Sequence, residues 1–329
     1  SITYEAHTVK FGKSFRAQIS WFIKRFFRIA PLYYIAIIFY TLERYEIYLL
    51  SHNKYGQAPN ILNIVANILF IHTWIPSANN SVVPGGWSIG VEMCFYVLVP
   101  FIWFLSPLKA RISWLAVSAI LFLTVTAAVA RMMTGRFYVF DDTYFYYWFP
   151  TQAPVMIVGL IFYFLGGLKL QRSKNTTHIA RWFALFLAGT GVAIYFGTGF
   201  AVLPFVSPTI FALSFVCLII SLHGYVKKII VNKIMIFLGK LSFSIYIFHF
   251  FVLDIIRTIL LSFNFEQVWL STLLLLPIFS VTVVLTSGIA FISKRIIEDP
   301  AITYGHKLSL SIAVAGLRVE KSRDPGLAV

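Results

Sequence analysis

Runs of apolar residues, each about long enough to cross a bilayer, recur along the whole of this chain. They fall at roughly 26–42, 87–105, 112–130, 153–170, 180–196, 201–223, 241–261 and 269–293. A bilayer core takes about 20 mainly apolar residues per helix, and only helices or closed barrels satisfy the backbone there. These runs predict an all-α integral membrane protein with about eight transmembrane helices. A further stretch, 61–75, is too short for a full crossing and predicts a short interfacial or re-entrant helix. Charged residues are only 12% of the 329, about half the share of an ordinary soluble domain.

The net charge of +15 would suit nucleic acid if it were gathered in one patch. It is spread instead through short loops between the apolar runs. With the N-terminus in the cytoplasm and eight crossings, 22 of the 27 lysines and arginines face inward and five face outward. That is the inside-positive bias of inner-membrane proteins, so both termini are expected in the cytoplasm and no nucleic-acid partner is implied. The organisation that follows is a basic cytoplasmic segment over 1–25, a membrane domain over 26–304 and a flexible cytoplasmic tail over 305–329. Cys94 and Cys217 both lie inside apolar runs and offer neither a disulfide framework nor a metal-ligand spacing.

Glu92 stands out within Trp87-Ser88-Ile89-Gly90-Val91-Glu92-Met93-Cys94-Phe95-Tyr96. A carboxylate inside a span costs a few kcal/mol or more, so it faces a cavity, finds a partner or does chemistry. Ser88 and Tyr96 lie one turn to either side on its face, where both could hydrogen-bond it. The approach through Pro84-Gly85-Gly86 reads as a turn at the outer surface. Glu92 is then only about 8 Å below Trp87, within reach of water from outside. The plainer role for such a glutamate is helix packing.

Arg25 and Arg28 are three residues apart at the cytoplasmic start of the first run. Paired guanidiniums suit a polyanion such as a nucleotide diphosphate, and they would serve equally to anchor the span. His249 lies near mid-membrane, either a general base or proton relay or a neutral packing histidine. Asp254 and Arg257, three apart, read as an internal ion pair. His72 sits in the short outer stretch, either against a substrate at the membrane face or simply at the interface.

Five segments carry a resemblance to a known family. They are Arg25-x-x-Arg28-Ile-x-Pro31-x-Tyr33, Trp87-Ser-Ile-x-Val-Glu92-x-x-Phe95-Tyr96, Gln152-x-Pro154-Val-x-x-x-Gly159, Ser242-x-Ser244-Ile-Tyr246-x-x-His249 and Arg295-x-Ile-Glu298-x-Pro300. In this order they resemble the acyltransferase 3 family, over about residues 15–305. The version of the Trp87 segment, with Pro150-Thr151-Gln152, is similar to the branch that O-acetylates surface glycans such as O-antigen.

The resemblance implies a multi-pass protein of the bacterial inner membrane. Such an enzyme moves an acyl group, commonly acetyl, from cytoplasmic acyl-CoA to a hydroxyl of a cell-surface glycan or its lipid-linked precursor. It uses acetyl-CoA as co-substrate and needs no metal. Arg25 and Arg28 map to the acyl-CoA side, and Glu92 and His249 are the catalytic candidates. Trp87, Ser88, Tyr96 and His72 are the candidates for substrate contact. Family members begin with two further spans, the first carrying a histidine regarded as catalytic. This sequence starts about where the second would end, so its eight runs are the family's ten helices less two. Two rivals stand beside an acyltransferase. One is a lipid-linked-glycan transporter or flippase using Glu92, His249 and Asp254 as proton relays. The other is a truncated, non-catalytic relative.

Overall fold

The computed structural model describes residues 7–8, 10–11, 14–50, 60–105, 111–134, 143–165, 174–196, 203–221, 231–262 and 272–323. Every regular element among them is helical, as the apolar runs require. They are α1 (Phe15–Leu50), α2 (Ile61–Ile68), a 3₁₀ turn (His72–Trp74), α3 (Gly86–Leu105), α4 (Arg111–Thr134), α5 (Thr143–Tyr147), α6 (Phe149–Phe164), α7 (Lys174–Phe196), α8 (Leu203–Ser221), α9 (Lys233–Ser262), α10 (Thr272–Ser293), a π-turn (Lys294–Glu298) and α11 (Asp299–Arg323).

Local chemistry places several helix starts. Ser14 Oγ accepts from the Ala17 amide at 3.3 Å, Asn60 Oδ1 from Leu62 at 2.9 Å and Asn232 Oδ1 from Met235 at 2.9 Å. Each is a short polar side chain satisfying an amide that has no intrahelical acceptor. Pro150 opens α6, where a missing N–H costs nothing.

Among the described residues, four helical stretches are long and apolar enough to cross a membrane: Ile112–Val129, Tyr144–Phe164, Lys233–Leu260 and Leu275–Ala315. Shorter apolar helices cover Gly86–Phe101 and Ser207–Ser221. The stretch from Leu275 is 41 residues, about twice what a bilayer core accommodates, and it contains the charged pair Lys294 and Arg295. The eight residues of α2 rise about 12 Å, too little to cross. That helix buries Ala66 and Asn67 and turns Ile61 and Leu62 outward. The basic loops at 106–110, 166–173 and 222–230, which carry part of the inward charge bias, lie outside the described residues.

Two compact units divide the chain. The first comprises 1–12, 69–79 and 87–230. There α6 packs against α4 and α8, and α7 lies along α8. Val91 of α3 joins Phe149 and Ala153 of α6 in one buried cluster, covered by Trp87, Cys94, Phe95 and Phe122. The second unit comprises 13–68, 80–86 and 231–329. In it α11 packs along α1 and α10 along α9.

The seam between α1 and α11 is made by small residues. Ser20 Oγ lies 2.8 Å from both the carbonyl and the hydroxyl of Ser309, and Gly305 meets the Phe27 ring. Without a Cβ at 305 the two backbones approach closely, as at helix contacts in membranes. Residues 305–323, part of the 305–329 segment expected to be a flexible tail, continue the helix α11, which meets α1 at Gly305 and Ser309. Residues 15–25, expected within a basic N-terminal segment, are the first turns of α1. The π-turn joins α10 to α11 and carries Glu298, buried, which accepts a hydrogen bond from the Ser244 hydroxyl of α9.

The ion pair read between Asp254 and Arg257 does not form. The only one among the described residues is Lys294–Asp299, at 2.6 Å. Asp254 and Arg257 are both exposed, and with Glu43 they line a cavity of about 500 Å³.

Candidate functional site

In the first unit the site is built on α3. Ser88, Glu92 and Tyr96 follow at intervals of one turn on one face of the helix. Glu92 is half-buried, and the Tyr96 hydroxyl donates a hydrogen bond to its Oε1. A phenol O–H that donates to one carboxylate oxygen holds the side chain's orientation. The second carboxylate oxygen keeps its capacity to accept a proton or a substrate hydroxyl.

Trp87, at the start of α3, stacks on Tyr147 with ring centroids 4.5 Å apart. Tyr147 belongs to the aromatic helix α5, which α6 secures. Gln152 Nε2 donates to the Tyr146 carbonyl at 2.6 Å, and Thr151 Oγ1 donates to the Phe145 carbonyl at 2.6 Å. Those two side chains satisfy carbonyls that a five-residue helix cannot satisfy itself. The glutamine of the Gln152-x-Pro154 segment therefore supports the ring on which Trp87 rests. Tyr147 and Gln152 were not among the sequence candidates, although the position of Gln152 in a family segment was a signal for it.

His72 is fully buried in the first unit. Its ring lies against Gly90, so closely that a methyl group at position 90 would stand 2.7 Å from Nε2. Trp74, two residues on, donates from Nε1 to Cys94 Sγ at 3.3 Å. Gly90 and Cys94 lie one turn apart, so the His72–Trp74 turn packs on one face of α3. Gly90 is two residues from Glu92, about 200° around the helix. The structure thus places His72 in the packing of α3 and away from the face of Glu92. Gly90→Ala drives a methyl group into this ring. A loss of about 1–3 kcal/mol is expected, read as a lower melting temperature of the solubilised protein. An unshifted melting temperature would mean that the imidazole relocates freely.

Arg25, Arg28 and His249 lie in the second unit. Arg25 is half-buried with its guanidinium 5.8 Å from the Trp21 ring, a cation–π contact that restrains it. Arg28 is exposed. His249 Nδ1 is 2.7 Å from the Tyr246 carbonyl. A carbonyl only accepts, so this bond places the proton on Nδ1 and leaves Nε2 as the basic nitrogen. His249 lines an apolar cavity of about 800 Å³ with Leu253, Phe279, Thr282 and Thr286. The sequence candidates thus divide, with Glu92, Trp87, Ser88, Tyr96 and His72 in one unit and Arg25, Arg28 and His249 in the other.

No curated protein and no solved structure matches this chain. A family model described as an acyltransferase domain, that of the acyltransferase 3 family, matches residues 10–291. That match takes in the paired arginines, the α3 face and His249, and with most of its length covered this chain belongs to the acyltransferase 3 family of membrane acyltransferases.

Proposed function

We propose that this protein is an O-acyltransferase of the bacterial inner membrane with eight spans in this sequence and both termini inside. It moves an acyl group, acetyl first among them, from cytoplasmic acyl-CoA to a hydroxyl of an extracytoplasmic glycan or its lipid-linked precursor. The observation that carries this reading is Glu92, a half-buried carboxylate oriented by Tyr96 in an apolar helix of a chain that belongs to this family.

The chemistry asks for little more than positioning and a base. An acceptor hydroxyl is a poor nucleophile at neutral pH and must lose its proton as it attacks the thioester carbonyl. Its oxygen bonds to the acyl carbon, the carbon–sulfur bond breaks, and CoA leaves as its thiol. Glu92 accepts a hydrogen bond from that hydroxyl or polarises the group that takes the proton. His249, with a basic Nε2, is the second candidate for the proton. Trp87 and Ser88 border the acceptor, while Arg25 and Arg28 bind the phosphates of the donor. His72 acts through packing of α3.

The direct test is transfer of radiolabelled acetyl from acetyl-CoA to lipid-linked glycan by the purified protein in liposomes. Label in the glycan fraction supports the proposal. Movement of the glycolipid across the bilayer without acyl-CoA, and with no label transferred, would replace it with a flippase.

A further inference from the structure

Two tyrosines outside the chemistry described so far hold the turn from which α3 begins. Gly85 adopts φ of 75°, a left-handed conformation that glycine reaches without strain. Its carbonyl accepts from the Tyr246 hydroxyl at 2.7 Å, and its amide donates to Asn80 Oδ1 at 2.7 Å. A Cβ at position 85 would stand 2.8 Å from the Tyr246 oxygen and 3.1 Å from the Phe250 ring. Gly86, the first residue of α3, is covered in the same way, since a Cβ there would lie 2.8 Å from the Tyr33 oxygen. Tyr33 is fully buried and donates to Asn67 Oδ1 at 2.7 Å, and Asn67 Nδ2 is in turn bonded to the Asn63 carbonyl at 2.8 Å. Two consecutive glycines thus lie against two phenol oxygens with no space for a side chain, and the first also accepts a hydrogen bond from one of them.

We propose that Tyr246 and Tyr33 are positioning residues for acyl transfer. They clamp the Gly85–Gly86 turn and so fix where, and in which direction, the helix bearing Glu92 starts. This rests on the role given to Glu92. Both tyrosines come from segments of the family resemblance, Arg25-x-x-Arg28-Ile-x-Pro31-x-Tyr33 and Ser242-x-Ser244-Ile-Tyr246-x-x-His249. The clamp gives those tyrosines a task distinct from that of the arginines and the histidine in the same segments. Glu92 lies less than two turns from Gly86, so an error in the turn is carried along the helix with little room for correction.

Tyr40 provides the control. Its hydroxyl makes the same kind of bond, to the Ile247 carbonyl at 2.8 Å, and it is buried, but it joins α1 to α9 and not to the turn. Tyr246→Phe and Tyr40→Phe each delete one such hydroxyl. In the purified full-length chain, Tyr246→Phe is expected to lower kcat about tenfold with KM for acetyl-CoA within about twofold, because small misplacements of a catalytic group cost rate and not donor binding. Tyr40→Phe leaves both constants within about twofold and lowers only the melting temperature. Combined with Glu92→Asp, the Tyr246→Phe loss should fail to multiply, as for groups acting on one path.

Hydrogen exchange reads the clamp without reference to activity. The amides of Gly85 and Gly86 should exchange at least about tenfold faster in Tyr246→Phe and unchanged in Tyr40→Phe. Faster exchange with unchanged kcat overturns the positioning role. Equal kcat losses in the two variants, or full multiplication with Glu92→Asp, also overturn it. Full activity in Glu92→Gln overturns instead the role of Glu92 on which the proposal rests.

Discussion

Glu92→Gln is expected to reduce acyl transfer by about 10²- to 10⁴-fold, the range that a positioned acid or base supplies, with the amount of protein in the membrane unchanged. The substitution is nearly isosteric. The amide oxygen still accepts from Tyr96, so the one hydrogen bond that fixes the side chain on α3 is kept. What is lost is the negative charge and the capacity to take a proton. A half-buried carboxylate is costly to keep, so its removal does not harm the helix. Stability and activity therefore separate cleanly at this position. The measurement is the acetyl content of the surface glycan by mass spectrometry beside the level of the protein by immunoblot. Normal acetylation in the variant would remove Glu92 from the chemistry and leave it a packing residue.

The second large effect belongs to the paired arginines. Charge-assisted hydrogen bonds contribute about 1.5–3 kcal/mol each, so Arg25→Ala or Arg28→Ala should raise KM for acyl-CoA about tenfold to a hundredfold. At saturating donor kcat should hold, because the lost contacts bind ground state and transition state alike. Arg25→Lys should recover only part of the loss, since an ammonium is a point charge without the planar fork that engages two phosphate oxygens. Acyl-pantetheine separates phosphate binding from membrane anchoring. It carries the thioester but no nucleotide phosphates, so its KM should ignore the substitutions. An equal penalty for both donors would show that these arginines merely seat α1 at the membrane surface.

How far the sequence disclosed this depends on the range of each interaction. The face shared by Ser88, Glu92 and Tyr96 was legible because it is a property of one helix, and the Tyr96–Glu92 bond follows from the four-residue interval. The same kind of inference failed at Asp254 and Arg257, where helical spacing permits a pair that the side chains do not make. His72 shows the opposite limit. As an isolated histidine it suggested a residue at the membrane face, yet it is sealed against Gly90, a fit between segments 18 positions apart that periodicity cannot register.

The C-terminal segment was misleading for a related reason. Its place at the end of the chain suggested a flexible tail. Gly305 and Ser309, one turn apart, are the stripe that lets α11 lie against Ser20 and Phe27 of α1. The paired arginines were legible as a motif, whereas the contact of Arg25 with Trp21 needed the helix to be seen. The support of Trp87 by Tyr147 and Gln152 is a chain of contacts through a third helix, invisible to spacing alone.

The π-turn at Lys294–Glu298 acts as a phase shifter. It holds one residue more per turn than the helices it joins, so it rotates α11 about its own axis relative to α10 by roughly the 100° that one residue spans in an α-helix. That rotation is what presents Ser309 to Ser20 while leaving Glu298 under the Ser244 hydroxyl. The orientation of α11 is accordingly set by the number of residues in this short segment more than by their identity. Chains with many different side chains between 294 and 297 can keep the α1–α11 seam, whereas one with a single residue removed would turn its serine and glycine stripe away from α1.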